Sequence, residues 1–163
     1  HMVAKDFNLI GPTMEQPQYN MFHRQKVEVD FNHIYKTVGL GTTIWSPLSS
    51  GVLTSKYLSK FPEGTRLSME GLEWLKERSL NEDRLNRVRQ LDKVAKDLGT
   101  TLPKMGVAWC LKNPHVSTVI LGASKVSQIE ENLTALEVIP LMTDEVMGRI
   151  EGILENKPEF PPF

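Results

Sequence analysis

Three segments of the chain carry side chains and backbone suited to holding an anion. Trp45-Ser46-Pro47-Leu48-Ser49-Ser50-Gly51 follows a β-branched, aromatic run, Thr42–Trp45, that reads as a strand ended by Pro47. Ser46, Ser49 and Ser50 offer hydroxyls and backbone N–H groups, and Gly51 lets a phosphate come close. The plainer reading is a polar turn with Trp45 in the core. Lys56 and Arg66 follow. A point charge and a planar fork can grip a phosphate together, or they are two solvated surface cations. In the third segment, Leu121-Gly122-Ala123-Ser124, an apolar strand passes into a helix. Free N–H groups and a positive dipole end suit an anion there. The alternative is an ordinary turn with Ser124 as a local cap.

Two weaker signals accompany these. Gln128, Glu131 and Asn132 are three and four residues apart, so all three can share a helix face. They suit reading a base edge, or they form a wet helix surface. Gln16, between Glu15 and Pro17, can bond a ligand amide or close a turn. His23, His33 and His115 have no metal-ligand spacing, and Cys110 reads as a small buried apolar residue. Gly39-Leu40-Gly41 is not a dinucleotide fingerprint.

The elements that must place these residues alternate. A short strand is expected around Thr13–Gln16 and a helix over 27–38, stopped by Gly39. After the Thr42–Trp45 strand, residues 49–79 read as one long irregular connection. Leu85, Val88, Leu91, Val94, Ala95 and Leu98 mark an amphipathic helix, stopped by Gly99. Thr101 is placed to cap the next helix, which has Pro103 in its first turn and stops before Pro114. Val116–Leu121 reads as a strand buried on both faces. A helix with Ile129, Leu133 and Leu136 follows, then a last one from Thr143 with Val146, Ile150 and Ile153 as its apolar stripe. Alternation of this kind predicts an α/β fold with parallel strands. Three strands leave two open sheet edges, which favours self-association.

Composition sets the outer bounds. The 163 residues are 40% apolar and 24% charged, enough apolar content for a core. A net charge of −1 without a basic block argues against nucleic acid as partner. No apolar run reaches the roughly 20 residues of a membrane span, and no signal peptide is visible. A single cysteine excludes a disulfide framework and fits a reducing compartment, most simply cytoplasm. His1-Met2 reads as a tag remnant, 3–156 as one domain and the proline-rich 157–163 as a tail.

Taken in order, Glu15-Gln16-Pro17-Gln18-Tyr19-Asn20, Trp45–Leu48 with Gly51 and Lys56-Tyr57, and Leu121–Ser124 with Gln128 and Glu131-Asn132 resemble the C-terminal half of the aldo-keto reductases. The nearest branch in likeness is that of the voltage-gated potassium channel β-subunits and their fungal, plant and bacterial relatives. The resemblance spans essentially the whole chain. It implies a (β/α)₈ barrel that binds NADP(H) at its C-terminal face, with this chain supplying about strands six to eight. It implies that Gln16 bonds the nicotinamide carboxamide and that Trp45 stacks on the nicotinamide ring. Ser46, Pro47, Leu48, Ser49 and Ser50 would wrap the pyrophosphate. Lys56 and Arg66 would stand near the pyrophosphate and the adenosine 2′-phosphate. Gly122, Ser124 and Gln128 would surround the adenosine phosphate, with Glu131 and Asn132 on adenine. The channel subunits commonly have Ala-Cys where this chain has Ser49-Ser50.

The resemblance also implies that the catalytic Asp, Tyr, Lys and His lie in the N-terminal half, ahead of this chain, so no catalytic residue is assigned here. Two functions are open. One is carbonyl reduction by hydride transfer in the parent protein, on a small carbonyl substrate, with this portion inactive alone. The other is regulation of a potassium channel through its cytoplasmic domain, with NADP(H) as a redox-sensing ligand. Self-association, or pairing with the absent half, is expected of either.

Overall fold

The computed structural model describes residues 1–59 and 61–161. The last two residues of the 157–163 tail lie outside the described residues. Three strands, β1 (Met14–Glu15), β2 (Gly41–Trp45) and β3 (Val116–Ile120), form one sheet in that order, with both pairs parallel. The α/β alternation and all three strands are therefore as the sequence implies. Among the described residues seven α-helices accompany them: α1 (Met2–Asp6), α2 (Asn32–Val38), α3 (Glu73–Ser79), α4 (Glu82–Asp97), α5 (Leu102–Leu111), α6 (Val126–Leu133) and α7 (Asp144–Leu154).

Helices cover one face of the sheet. Alternation along β2 turns Thr42 and Ile44 into them and leaves Gly41, Thr43 and Trp45 on the other side. Ile44 is fully buried and lies beside Val119. Leu91 of α4, Met105 and Ala108 of α5 and Ile150 of α7 belong to the same core cluster, all fully buried. Helix α5 touches β3, α4, α6 and the 3₁₀ segment Thr134–Leu141. That position explains why nearly all its residues are apolar and why its continuous run 105–110 is buried. The stripes read for α4 and α7 are the ones that point inward.

Four expectations need correction. The helix over 27–38 is two pieces: a π turn, Lys26–Asp30, closed by Phe31 N–H donating to the Lys26 carbonyl at 3.0 Å, and then α2. The wider turn buries both Val27 and Val29. Residues 49–79 are not wholly irregular. They hold three 3₁₀ turns, Ser49–Gly51, Ser55–Tyr57 and Arg66–Ser68, and helix α3. Strand β3 is not buried on both faces. Val116 is buried, but Ser117, Thr118 and Ile120 are exposed. Trp45 of the neighbouring strand is exposed on the same second face, so among the described residues that face is poorly covered. Ile129 and Leu133 of α6, with Leu136 beyond it, also lie on the surface, together with Val126. Thr101 takes the N-cap position of α5 but makes no side-chain cap, because its hydroxyl donates to Glu131 at 2.8 Å.

Among the described residues no helix is long and apolar enough to cross a membrane, and no cluster of His, Cys, Asp and Glu could hold a metal ion. Cys110 is buried, as read, and burial raises its thiol pKa far above the ordinary value.

Candidate functional site

Parallel pairing sends the C-terminal ends of all three strands to one edge of the sheet, the edge where ligands bind in α/β folds. β1 leads into Gln16, β2 into Ser46 and β3 into Leu121. Trp45 pairs with Ile120 on one side and bridges to Gln18 on the other. Its N–H donates to the Pro17 carbonyl at 3.0 Å, and Tyr19 N–H donates to the Trp45 carbonyl at 3.2 Å. The indole is left 43% exposed and shares a cavity of about 740 Å³ with Gln16. His23, Arg24, Lys26 and Asn156 line the same cavity. The two residues matched to the nicotinamide end therefore meet in one concave site.

The serine segment is a run of left-handed residues. Ser46, Ser49 and Ser50 have φ of 58°, 49° and 57°, and Gly51 has 87°. Such backbone turns N–H groups into a concavity that suits anions. Here most of those groups already have partners inside the turn. Ser49 N–H donates to the Ser46 carbonyl at 3.0 Å and Gly51 N–H to the Leu48 carbonyl at 2.9 Å. Ser50 N–H makes only a long bond, 3.3 Å, to Ser46 Oγ. Pro47 and Ser49 are buried. Leu48 packs against α5, its Cδ2 lying 3.2 Å from where a Gly106 Cβ would stand. So Pro47 and Leu48 anchor the turn, and the Ser46 and Ser50 hydroxyls are its half-exposed polar groups.

Lys56 reaches this turn. A Cβ built on Gly51 would lie 2.6 Å from Lys56 Nζ and 2.9 Å from its Cε. The Ser55–Tyr57 turn is held from behind by Asp92 of α4, which accepts from Ser55 Oγ and pairs with Lys96 at 2.6 Å. Burial opposes ionisation of Asp92, but Lys96 and Ser55 together outweigh it and hold the carboxyl below its ordinary value. Arg66 is exposed on the Arg66–Ser68 turn, which packs against Ser49–Gly51. Among the described residues neither Lys56 nor Arg66 belongs to an ion pair. Replacing Gly51 by Ala is expected to cost about 1 kcal/mol of stability through its left-handed backbone. It should also push Lys56 off the turn. Chemical denaturation, with an anion titration alongside, checks both effects.

The β3 end is organised differently. Gly122 is exposed with open space where a Cβ would be, so nothing here requires a glycine for room. Gln128 Oε1 accepts from Ser124 N–H at 2.9 Å and from Ser124 Oγ at 3.3 Å. Ser124 is thus tied into a local cap ahead of α6, the plainer of its two readings. Glu131 accepts from Thr101, and Asn132 is buried. Gln128, Glu131 and Asn132 do not present one open face, because their exposure runs from open to buried along α6.

Two residues to which the sequence assigns no role support the site. Asn20 is fully buried, donates its amide to the Ser46 carbonyl at 2.8 Å and accepts from Phe22 N–H at 2.9 Å. Arg24, also buried, bonds both Glu28 and Glu151, reaches Asn156, and lies 5.2 Å from the centre of the Trp109 ring. Only an i,i+4 pair with Glu28 could have been read from spacing, and that reads as a surface pair. Burial, helped by the nearby Arg84 and Arg78, holds His23 below the ordinary histidine pKa. The unfolded chain then binds more protons below the usual value near 6.5, so stability should fall as pH drops from there toward the folded pKa. His23→Gln should flatten that slope, which thermal melts across pH 5–7 would read.

This architecture can be compared with known proteins. A model of the Aldo/keto reductase family matches residues 2–155. The chain belongs to that family. Aldo-keto reductases are an oxidoreductase-type family. A protein of Oryza sativa subsp. japonica named "Probable voltage-gated potassium channel subunit beta" is 49% identical over 158 residues, covering 96% of this chain and 48% of the relative. An Arabidopsis thaliana protein of the same name is 47% identical over 159 residues, covering 97% and 48%. The chain thus spans about half the length of these two relatives.

Proposed function

We propose that this chain is the cofactor-holding portion of an NADP(H)-dependent reductase of small aldehydes or ketones. The observation that supports it most is two cations with no ion pair among the described residues: Lys56 against Gly51, and Arg66 on the turn packed beside it. Two phosphate-bearing ends of one ligand suit two such cations. Gln16 would hold the nicotinamide carboxamide, and Trp45 would stack on its ring. Ser46 and Ser50 would bond the diphosphate, seated by Pro47, Leu48 and Ser49. Gly122, Ser124 and Gln128 would meet the adenosine phosphate, with Glu131 and Asn132 toward adenine. Anion binding there asks Gln128 to release Ser124. When bound, the dinucleotide supplies the hydride for carbonyl reduction. The residues of this chain orient it and neutralise its charge; none is assigned a proton-transfer role.

In this reading residues 3–156 are about strands six to eight of a (β/α)₈ barrel, in a cytoplasmic protein. The open sheet face and the exposed Val126, Ile129 and Leu133 are surfaces for the N-terminal half, or for a second copy when this chain is alone. Full-length protein should oxidise NADPH only when a carbonyl is added, and this chain should not do so. Carbonyl-dependent turnover by the chain alone, or none by the full-length protein, contradicts the proposal. The names of the two plant relatives favour a second reading, a channel β-subunit whose cofactor state acts on the channel's cytoplasmic domain. Co-purification of full-length protein with such a domain tests it, and failure to co-purify removes that partner.

A further inference from the structure

We propose that Tyr57 and Phe61 form an aromatic platform that presets the Lys56 ammonium over Gly51, so that these two rings are positioning residues for the anion Lys56 binds. This rests on the dinucleotide reading. A lysine on an exposed turn has a flexible four-carbon stem and loses considerable rotamer entropy when a ligand fixes it. Among the described residues no carboxylate pairs with Lys56, but a ring lies beside it. Its Nζ lies 4.9 Å from the centre of the Tyr57 ring, within cation–π range. Tyr57 is itself 6% exposed, and its Cε2 lies 3.8 Å from where a Gly51 Cβ would stand. Lysine, ring and glycine therefore touch one another.

The platform extends beyond Tyr57. The Phe61 ring stacks on it with centroids 5.8 Å apart and planes at 27°. On Phe61 sits a second cation, Lys76 of α3, 4.2 Å from the ring centre. The order is cation, ring, ring, cation, and it links α3 to the serine turn. Asp92 pins the same turn from α4 through Ser55. The Tyr57 hydroxyl is buried with no hydrogen-bond partner among the described residues. It adds nothing to the geometry, so the ring rather than the phenol is the working part. Tyr57→Phe keeps the platform, whereas Tyr57→Leu and Phe61→Leu remove parts of it.

Two measurements on the purified chain test this. In NMR spectra, the Lys56 ε-methylene protons should be shifted upfield by the Tyr57 ring, retain that shift in Tyr57→Phe and lose it in Tyr57→Leu. In titrations, NADPH should bind Tyr57→Phe as it binds the unsubstituted chain and bind Tyr57→Leu about fivefold more weakly. Phe61→Leu, at a half-exposed ring, should give a smaller loss and decides the matter if Tyr57→Leu does not fold. A shift that is absent from the unsubstituted chain overturns the platform. So does leucine variants' affinity equal to that of the unsubstituted chain. A shift that is present in a chain that binds no NADPH overturns instead the dinucleotide reading, and with it the anion role of Lys56.

Discussion

Arg24→Met should remove about 3–5 kcal/mol of stability, the range for breaking a buried ion pair by deleting one partner. The Arg24 side chain is only 5% exposed. Its guanidinium makes two bonds to Glu28, at 3.0 Å each, and two to Glu151, at 2.8 and 2.9 Å. Methionine would fill much of the space but leave two carboxylates facing each other, with Tyr19 still donating to Glu28 at 2.8 Å. The contact with Trp109, which also stacks on Tyr19 at 5.1 Å, would be lost too. For a domain of this size the melting temperature should fall by about 6–20 °C. Glu151→Gln keeps a hydrogen-bond acceptor and should cost less. A loss below about 1 kcal/mol for Arg24→Met in urea denaturation would show that the network is not what fastens α7 and Asn156 to the loop after β1.

Asn20→Ala should cost about 2 kcal/mol and also disable the anion turn. One fully buried amide serves two backbone groups, the Ser46 carbonyl and Phe22 N–H. Phe22 N–H would be left without its partner, at about 1–3 kcal/mol, while the Ser46 carbonyl would keep only Ser49 N–H. Ser46 is a non-glycine residue at φ 58°, a conformation its neighbours must hold in place. Without Asn20 the segment 46–51 should relax, and NADPH affinity should fall at least tenfold, more than the stability loss alone explains. Calorimetric melting combined with a titration separates the two. A variant that melts lower yet binds normally would detach Asn20 from the site.

The strands, the amphipathic helices and the edge of the sheet that carries the site are legible because they rest on periodicity and turn residues. Val88, Leu91 and Ala95 at helical spacing are buried where that spacing places them. Strand β3 is less buried than its composition predicts, and α6 keeps apolar residues on the surface. Apolar residues such as Ile120, Ile129 and Leu133 announce a buried surface, but only tertiary structure tells whether anything covers it. The π turn at Lys26–Asp30 has no composition signal, since its residues suit an ordinary helix as well. In the structure Gln16 and Trp45 line one cavity and Lys56 lies against Gly51. Asn20 and Arg24 were hidden because polar residues near a strand end look solvated until burial is known. The Gln128–Ser124 bond shows the remaining ambiguity: the same glutamine can cap its own helix or meet a ligand.

The central claim is that Gln16, Trp45, Ser46 and Ser50, Lys56 and Arg66 form a site for NADP(H). It is tested most directly by titrating the purified chain with NADPH and NADH while following tryptophan emission. Trp45 is exposed at the cavity that Gln16 shares, so a stacked nicotinamide should quench it. The account predicts saturable quenching by NADPH at lower concentration than by NADH, with the difference lost in Lys56→Gln/Arg66→Gln. Equal weak quenching by both nucleotides, unchanged in that variant, would contradict it.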